Sequence, residues 1–278
     1  ESMIVSCDCG NPKNLVCAWV DIEGAWDSDW AEYLGIILPR VFLSRPHTTE
    51  HCVDTIEAFL DSGAIDIVVL DSIAQMAPAK EVEDSAYQAK DNIGLGARIM
   101  NSAFRKWNVN FQKRWSESVS SGKWNIPTVW MVNQLREKVG VVWGSNETRP
   151  GGKGQRFITS VDVRTGGGKY KSDEKLLETH QVELSFDVVK NKTAPARRKG
   201  TYMMCLMDSG SFKMGQILDF DDVLFHGLRA EMIEQISDKK YGFDGHEFLG
   251  RNKLFDYWSD NISLYNDLKI KIVNALCQ

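Results

Sequence analysis

I-D-I-V-V-L-D-S, residues 65–72, is the stretch whose reading decides the fold. An almost unbroken apolar run, rich in β-branched residues, fits a strand buried on both faces, and Gly63 lies just upstream. Asp71 then stands at the C-terminal end of that strand, the edge at which open parallel α/β sheets bind ligands. An acid in that place suits a Mg2+ ion accompanying phosphate groups. The same letters also fit a core strand that ends in a turn-forming Asp-Ser, so the rest of the chain has to decide between the two.

Neighbouring segments bring more polar groups to the same kind of edge. Leu15 to Val20 (L-V-C-A-W-V) reads as a second buried strand and runs into Asp21-Ile22-Glu23. Thr128 to Val132 reads as a third and ends in Asn133-Gln134. Between the first two lie a helix from Asp29 to Leu34, a short strand from Val41 to Ser44, and an amphipathic helix from His51 to Leu60. That last helix carries Val53, Ile56, Ala58, Phe59 and Leu60 and is closed by Gly63. Strands alternating with helices predict a doubly wound, mostly parallel sheet.

The remainder is less regular. Residues 3–10 read as a short apolar helix stopped by Gly10-Asn11-Pro12. Lys80 to Asn92 is polar and reads as a loop. Gly94 to Trp107 has helical periodicity, with Leu95, Ile99, Ala103 and Phe104 on one side and Arg98, Arg105 and Lys106 elsewhere. Ser116 to Gly122 reads as a loop. Leu135 to Gly154 is a long Gly-rich segment interspersed with Arg136, Lys138, Arg149 and Lys153, with Trp143 in its middle. Glycines allow close approach and bases neutralise charge, so this composition suits a phosphate backbone; a plain surface loop is the other reading. Phe157 to Arg164 and Val182 to Lys190 read as strands around a hairpin region, Gly166 to Glu178, and Tyr202 to Leu206 as a last strand. Arg197-Arg198-Lys199 adds positive charge. From about Asp219 the chain turns helix-rich, with helices read over Val223 to Ile236, Asn252 to Trp258 and Leu264 to Leu276. Tyr241, Phe243, Phe248, Phe255, Tyr257 and Trp258 supply a small separate core.

Bulk properties narrow the partners. With 278 residues the chain has room for one large domain and an appendage. Hydrophobic residues make up 43% and the net charge is −5, so a nucleic-acid surface has to be a local patch and not a global field. No apolar run reaches the length of a membrane span, and six scattered cysteines predict a reducing cytoplasm. Cys7-x-Cys9 lacks a second pair, and His47 and His51 beside Cys52 fall short of four ligands, so both groups read as structural and not as zinc sites.

Taken together, the motifs resemble a RecA-type homologous-recombination protein of bacteria or phage. Five blocks carry the resemblance in the family's order: C-A-W-V-D-I-E-G-A-W-D (17–27), I-V-V-L-D-S-I-A-Q-M (67–76), G-L-G-A-R-I-M (94–100), V-N-Q-L-R-E-K-V-G-V-V-W-G-S-N-E-T-R-P-G-G (132–152) and D-V-V-K-N-K-T-A-P (187–195). The tail G-F-D-G-H-E-F-L-G-R-N-K…W-S-D-N (242–261) is similar to the family's small C-terminal domain. The resemblance implies an α/β fold: a RecA-like P-loop NTPase core over residues 1–215, its mostly parallel central sheet flanked by helices, and a small α+β domain over 216–278.

It also implies roles. Glu23 matches the catalytic glutamate and Gln134 the glutamine that senses the γ-phosphate. Asp71, with Ser72 beside it, matches the Walker B acid near Mg2+, and Asp27 and Trp30 match positions lining the adenine of ATP. Lys190 and Lys192 match a pair that reaches the ATP of a neighbouring subunit. Ile93, Gly94, Arg98 and Arg105 match the first DNA loop and its helix; Arg136, Lys138, Val139, Thr148, Gly151 and Gly152 match the second. The family's partners are single- and double-stranded DNA and further copies of itself in a helical filament, in DNA repair and the SOS response of a bacterial cell or a phage-infected host.

The departures have consequences too. The motif G-x-x-x-x-G-K-[ST], whose main chain and Lys grip phosphates, does not occur in these 278 residues. Glu1 falls just past its expected place, which predicts a fragment or the product of a split gene more than an evolved pseudoenzyme. Asp162 stands where the family has an interface arginine, and the lengthened 107–125 region is phage-like. Three readings follow: a DNA-dependent ATPase and strand-exchange protein that hydrolyses ATP when the missing segment is supplied; a non-catalytic single-stranded-DNA-binding or filament-modulating protein; and, least favoured, a hexameric helicase, which shares the Asp71 strand but not the V-V-K-N-K block.

Overall fold

A computed structural model describes residues 15–83, 94–123, 126–137, 147–172, 179–208 and 213–276. The helix read over 3–10, Cys7 and Cys9, and the proposed DNA-loop residues Ile93, Lys138 and Val139 lie outside the described residues. The chain divides into two units, one through Thr159 and one from Ser160 onward.

The first unit is built on four parallel strands: β1 (Cys17–Asp21), β2 (Val41–Ser44), β3 (Ile67–Asp71) and β4 (Thr128–Met131), in the order β2-β1-β3-β4. The apolar stretch 65–72 therefore lies between two other strands. Ala18, Val20, Val68 and Leu70 are all fully buried, which is why these strands read as near-continuous apolar runs. Register places Asp21 directly beside Asp71, and Leu70 beside Met131.

Helices α1 (Ser28–Tyr33), α2 (Thr49–Ser62), α3 (Ala79–Glu83), α4 (Leu95–Ser121) and α5 (Gln155–Ile158) complete the unit. Thr48 caps α2 by accepting the His51 N–H at 3.2 Å, and Gly63 ends it at φ 67°, a conformation costly for any residue with a Cβ. Cys52, Val53, Ile56 and Leu60 recur at helical spacing on the buried face of α2. Burial pushes the Cys52 thiol up to about 12, as befits a cysteine used as a small apolar residue.

Several expectations are corrected here. Helix α4 does not stop near Trp107; it continues through the expected 116–122 loop and ends at Gly122, at φ 67°. Three contacts explain the extension. Lys106 reaches Glu57 at 3.3 Å, while Asn110 bonds Asp61 and Arg114 bonds the Leu60 carbonyl, so the second half of α4 is tied to the end of α2. The serines that suggested a loop bond back into the helix, Ser116 to the Gln112 carbonyl at 3.1 Å and Ser120 to the Ser116 carbonyl. The expected loop from Lys80 begins instead as helix α3. The Gly-rich segment is closed by a short antiparallel ladder, β5 (Arg136–Glu137) with β6 (Glu147–Thr148), and Phe157 belongs to α5 and not to a strand.

The second unit opens with an antiparallel sheet in the order β10-β9-β8-β7: β7 (Val161–Ser172), β8 (Thr179–Asn191), β9 (Lys199–Cys205) and β10 (Ile217–Leu218). The glycines read as a hairpin from 166 onward lie within β7. A Cβ on Gly166 would meet Ser185 Oγ at 2.2 Å and one on Gly168 would meet Val182 at 2.1 Å, so these glycines mark close approach between strands, not a turn.

Next come α6 (Phe220–Arg229), the meander β11 (Glu234–Ser237), β12 (Lys240–Phe243) and β13 (His246–Leu249), then α7 (Arg251–Asp260) and α8 (Ile262–Leu276). The single helix expected over 223–236 is thus cut at Arg229, and Tyr202 to Leu206 is not the last strand. Glu231 turns left-handed at φ 55°, and the N–H groups of Met232 and Ile233 both return to the Gly227 carbonyl. A Cβ on Gly227 would sit 2.4 Å from Ile233 Cδ1, so the missing side chain makes room for the fold-back. Val223, Leu224, Ile233, Leu254, Trp258, Tyr265, Leu268 and Ile272 form a core of their own.

Candidate nucleotide and nucleic-acid site

The parallel sheet delivers its polar residues to one edge. At the end of β1 the N–H groups of Ile22 and Glu23 both bond the Asp71 carbonyl, at 2.7 and 3.3 Å, so the segment carrying Glu23 is fastened to the end of β3. Ser72, fully buried, donates its hydroxyl to Glu23 Oε2 at 3.3 Å. The β3–β4 ladder runs past both strands, with Val132 N–H on the Leu70 carbonyl and Ile73 N–H on the Val132 carbonyl. That brings Asn133 and Gln134 to the same edge. Glu23, Asp71 and Ser72 are therefore together, and Gln134 follows the end of the adjacent strand β4 on the same edge.

Two of the acids differ in what their surroundings do to them. Burial pushes the Asp21 carboxyl up, but Arg45 and the main-chain N–H groups of Trp26, Ala25 and Gly24 outweigh it and hold the carboxyl below its ordinary value. Its contacts are Arg45 Nε at 3.0 Å, Ala25 N at 3.0 Å and Trp26 N at 3.2 Å. Asp21 is 2% exposed and serves to shape the turn that carries Glu23. Asp71 has the opposite balance: burial, then the charges of Glu23 and Asp21, raise its carboxyl. A carboxylate crowded by two others is relieved by a cation, which is the chemical fit of this edge to Mg2+. Among the described residues no three His, Cys, Asp or Glu side chains are grouped to hold a metal by themselves, so other oxygens, such as those of phosphates, would have to complete the shell.

Asp27 accepts the Trp30 N–H at 2.9 Å and so caps α1, while the Trp30 ring stacks on Tyr33 with centroids 5.3 Å apart. Both residues expected to line an adenine thus lie in one short helical segment that follows the Glu23 turn, with Trp30 38% exposed.

The residues expected to meet DNA fall on two elements. Gly94 is the N-cap of α4, at φ 78°, and Arg98 and Arg105 are exposed two turns apart on the same face of that helix. Arg136 pairs in register with Thr148 at the base of the Gly-rich segment. Gly151 and Gly152 follow at φ 79° and 82°. Lys190 and Lys192 belong to the second unit, at the end of β8 and just beyond it, where Lys190 lies in register with Asp162.

Sequence reasoning missed Arg45, Asn101 and Gln155. Asn133 Nδ2 donates to Gln155 Oε1 at 2.9 Å and to the Pro150 carbonyl at 3.0 Å, and Asn101 Oδ1 accepts the Gly154 N–H at 3.1 Å. No local pattern announces partners 22 and 53 residues away.

A parallel sheet that gathers acids, a hydroxyl and an amide at the ends of adjacent strands, and hangs a Gly-rich segment from the last of them, defines a RecA-like α/β core. The family model described as the RecA N-terminal domain matches residues 3–210. The chain is 31% identical over 264 residues to Protein RecA of Delftia acidovorans, a match covering 94% of this chain and 65% of that protein. It is 31% identical over 257 residues to Protein RecA of Acholeplasma laidlawii (92% and 70%), and 32% identical over 262 residues to that of Macrococcus caseolyticus (94% and 68%). The chain belongs to the RecA family, and it spans 65% to 70% of the length of these relatives. Among the described residues no helix is long and apolar enough to cross a membrane.

Proposed function

We propose that this chain is a RecA-like recombinase that binds single-stranded DNA under the control of ATP and pairs it with homologous duplex in recombination and repair. The observation that supports the reading is the meeting of Glu23, Asp71 and Ser72 at one sheet edge, with Gln134 and then the Gly-rich segment following the end of the next strand. In this reading residues 1–215 act as the ATPase core and 216–278 as the small C-terminal domain.

Asp71 and Ser72 would hold Mg2+, Asp71 through its raised, crowded carboxyl. Bound ATP with Mg2+ supplies an electrophilic γ-phosphate. Glu23, held by the Ser72 hydroxyl, orients and polarises the attacking water, and Gln134 senses the γ-phosphate side. Asp27 and Trp30 flank the adenine. Lys190 and Lys192 act on the ATP of a neighbouring copy in a filament. Arg98, Arg105 and Arg136, together with Lys138, contact phosphates of the strand, while Ile93, Gly94, Val139, Thr148, Gly151 and Gly152 approach it closely. Hydrolysis needs the phosphate-gripping motif that these 278 residues do not contain, so it is proposed only for a form in which that segment is supplied.

The alternative reading is a non-catalytic single-stranded-DNA-binding or filament-modulating member of the family. Titrating a single-stranded oligonucleotide into the chain, with and without ATP and Mg2+, separates the two. Affinity that rises with nucleotide supports the recombinase; binding indifferent to nucleotide supports the second reading; no binding in any condition removes both.

A further inference from the structure

The returning leg of the Gly-rich segment, residues 147–154, is held by amide side chains from two directions. Gln155, 5% exposed, uses both ends of its amide: Oε1 accepts from Asn133 Nδ2 at 2.9 Å, and Nε2 donates to the Pro150 carbonyl. Asn133 donates to the same carbonyl at 3.0 Å, and its Oδ1 accepts the Gln134 N–H at 2.9 Å. On the other side Asn101, from α4, accepts the Gly154 N–H at 3.1 Å. The fit leaves no slack. A Cβ on Gly151 would meet Ile73 Cγ2 at 2.6 Å, one on Gly152 would meet Ala97 Cβ at 3.1 Å, and one on Gly154 would meet Asn101 Oδ1 at 2.1 Å.

We infer that Asn133, Gln155 and Asn101 are positioning residues that fasten this leg both to the end of β4 and to α4, so that the main chain of Gln134 and of Gly151–Gly154 keeps one fixed relation. Asn133 is the junction, since one side chain bonds the peptide of Gln134 and the carbonyl that precedes Gly151. Gln155 is buried and Asn133 and Asn101 are half-buried, and breaking one of these bonds leaves its partner without the bond it makes in the fold. For DNA binding, which rests on the function proposed above, the leg is then ordered before the strand arrives, and that ordering cost is not charged against affinity.

The test uses the full 278-residue chain. Asn133→Asp keeps the oxygen that accepts the Gln134 N–H but turns the Nδ2 donor into an oxygen facing two other oxygens. Asn101→Ala removes the acceptor for Gly154, whereas Asn101→Asp keeps it. Amide hydrogen exchange over 147–155 should quicken roughly three- to tenfold in Asn133→Asp and Asn101→Ala, stay as in the unaltered chain in Asn101→Asp, and not change in β1 or β3. Affinity for an oligo-dT strand should fall several-fold in the first two variants with the same salt dependence, because no cation is removed, and recover in Asn101→Asp. Unchanged exchange over 147–155 overturns the proposal, as does quickened exchange with unchanged affinity, or a loss that Asn101→Asp does not rescue. If the unaltered chain does not bind oligo-dT, the functional reading falls, and the exchange data alone decide the fastening.

Discussion

Ser72 donates its hydroxyl to Glu23 across 3.3 Å, joining the ends of two adjacent parallel strands and placing Glu23 beside the crowded carboxyl of Asp71. An edge arranged in this way stores charge repulsion that a bound cation relieves. Asp71 is raised by burial first and by Glu23 and Asp21 next. A folded-state value above the unfolded one means that ionised Asp71 lowers stability at neutral pH, and that the loss disappears as pH falls through the raised value and below the ordinary one.

Asp71→Asn should therefore raise the thermal midpoint at neutral pH in the absence of divalent ions. For a chain of this size ~1 kcal/mol corresponds to about 2–4 °C. The gap between variant and unaltered chain should close as pH is lowered, and also on adding Mg2+ with nucleotide to the unaltered chain. A lower midpoint for the variant at neutral pH contradicts the repulsion.

Asp21 should behave in the opposite way. Its carboxylate is bonded to Arg45, Ala25 and Trp26, and its depressed value means that its stabilisation is present above the ordinary carboxylate range and lost as pH falls through the depressed value. Asp21→Ala removes the acceptor of the Ala25 and Trp26 N–H groups and of Arg45 and should cost about 1–3 kcal/mol. Urea unfolding reads this as a lower midpoint with an unchanged slope. Arg45→Gln, on a side chain 53% exposed, should cost less.

Gly154→Ala places a methyl group where Asn101 Oδ1 stands, and overpacking of this kind costs about 1–3 kcal/mol. Asn101→Ala vacates that space. The double variant should accordingly be more stable than the two single losses predict, by at least ~0.5 kcal/mol, in a double-mutant cycle measured by denaturant unfolding. Simple additivity would mean that the two residues do not meet.

Helix α4 gives a prediction that separates a helix from a loop at the same residues. Ser116→Pro removes a hydrogen bond and clashes with the carbonyl four residues back, and should cost ~3 kcal/mol or more if 116 is inside the helix. A near-neutral effect would restore the loop.

Much of the first unit was legible because burial on both faces writes an apolar run, and because caps are local: Thr48 and Gly63 bracket α2 within the sequence itself. The edge acids were legible for the same reason, since a strand fixes what stands at its end. What was not legible depended on distant contacts. The second half of α4 is largely polar and holds four serines, and only its bonds to Asp61 and the Leu60 carbonyl show why it stays helical. The glycines of β7 read as a turn because what they make room for, Ser185 and Val182, lies on another strand. Glu231 ends α6 with a left-handed residue that is not a glycine, so no stop signal marks the place. Asn101 and Gln155 carry no local signal, and only their partners give them a role.

The most direct test of the central claim joins a segment bearing G-x-x-x-x-G-K-[ST] upstream of this chain and measures ATP hydrolysis with and without single-stranded DNA, beside the same protein carrying Glu23→Gln. The account predicts hydrolysis that DNA stimulates and that Glu23→Gln abolishes while nucleotide and DNA still bind. Absence of DNA-stimulated hydrolysis in the joined protein, or hydrolysis indifferent to Glu23, would contradict it.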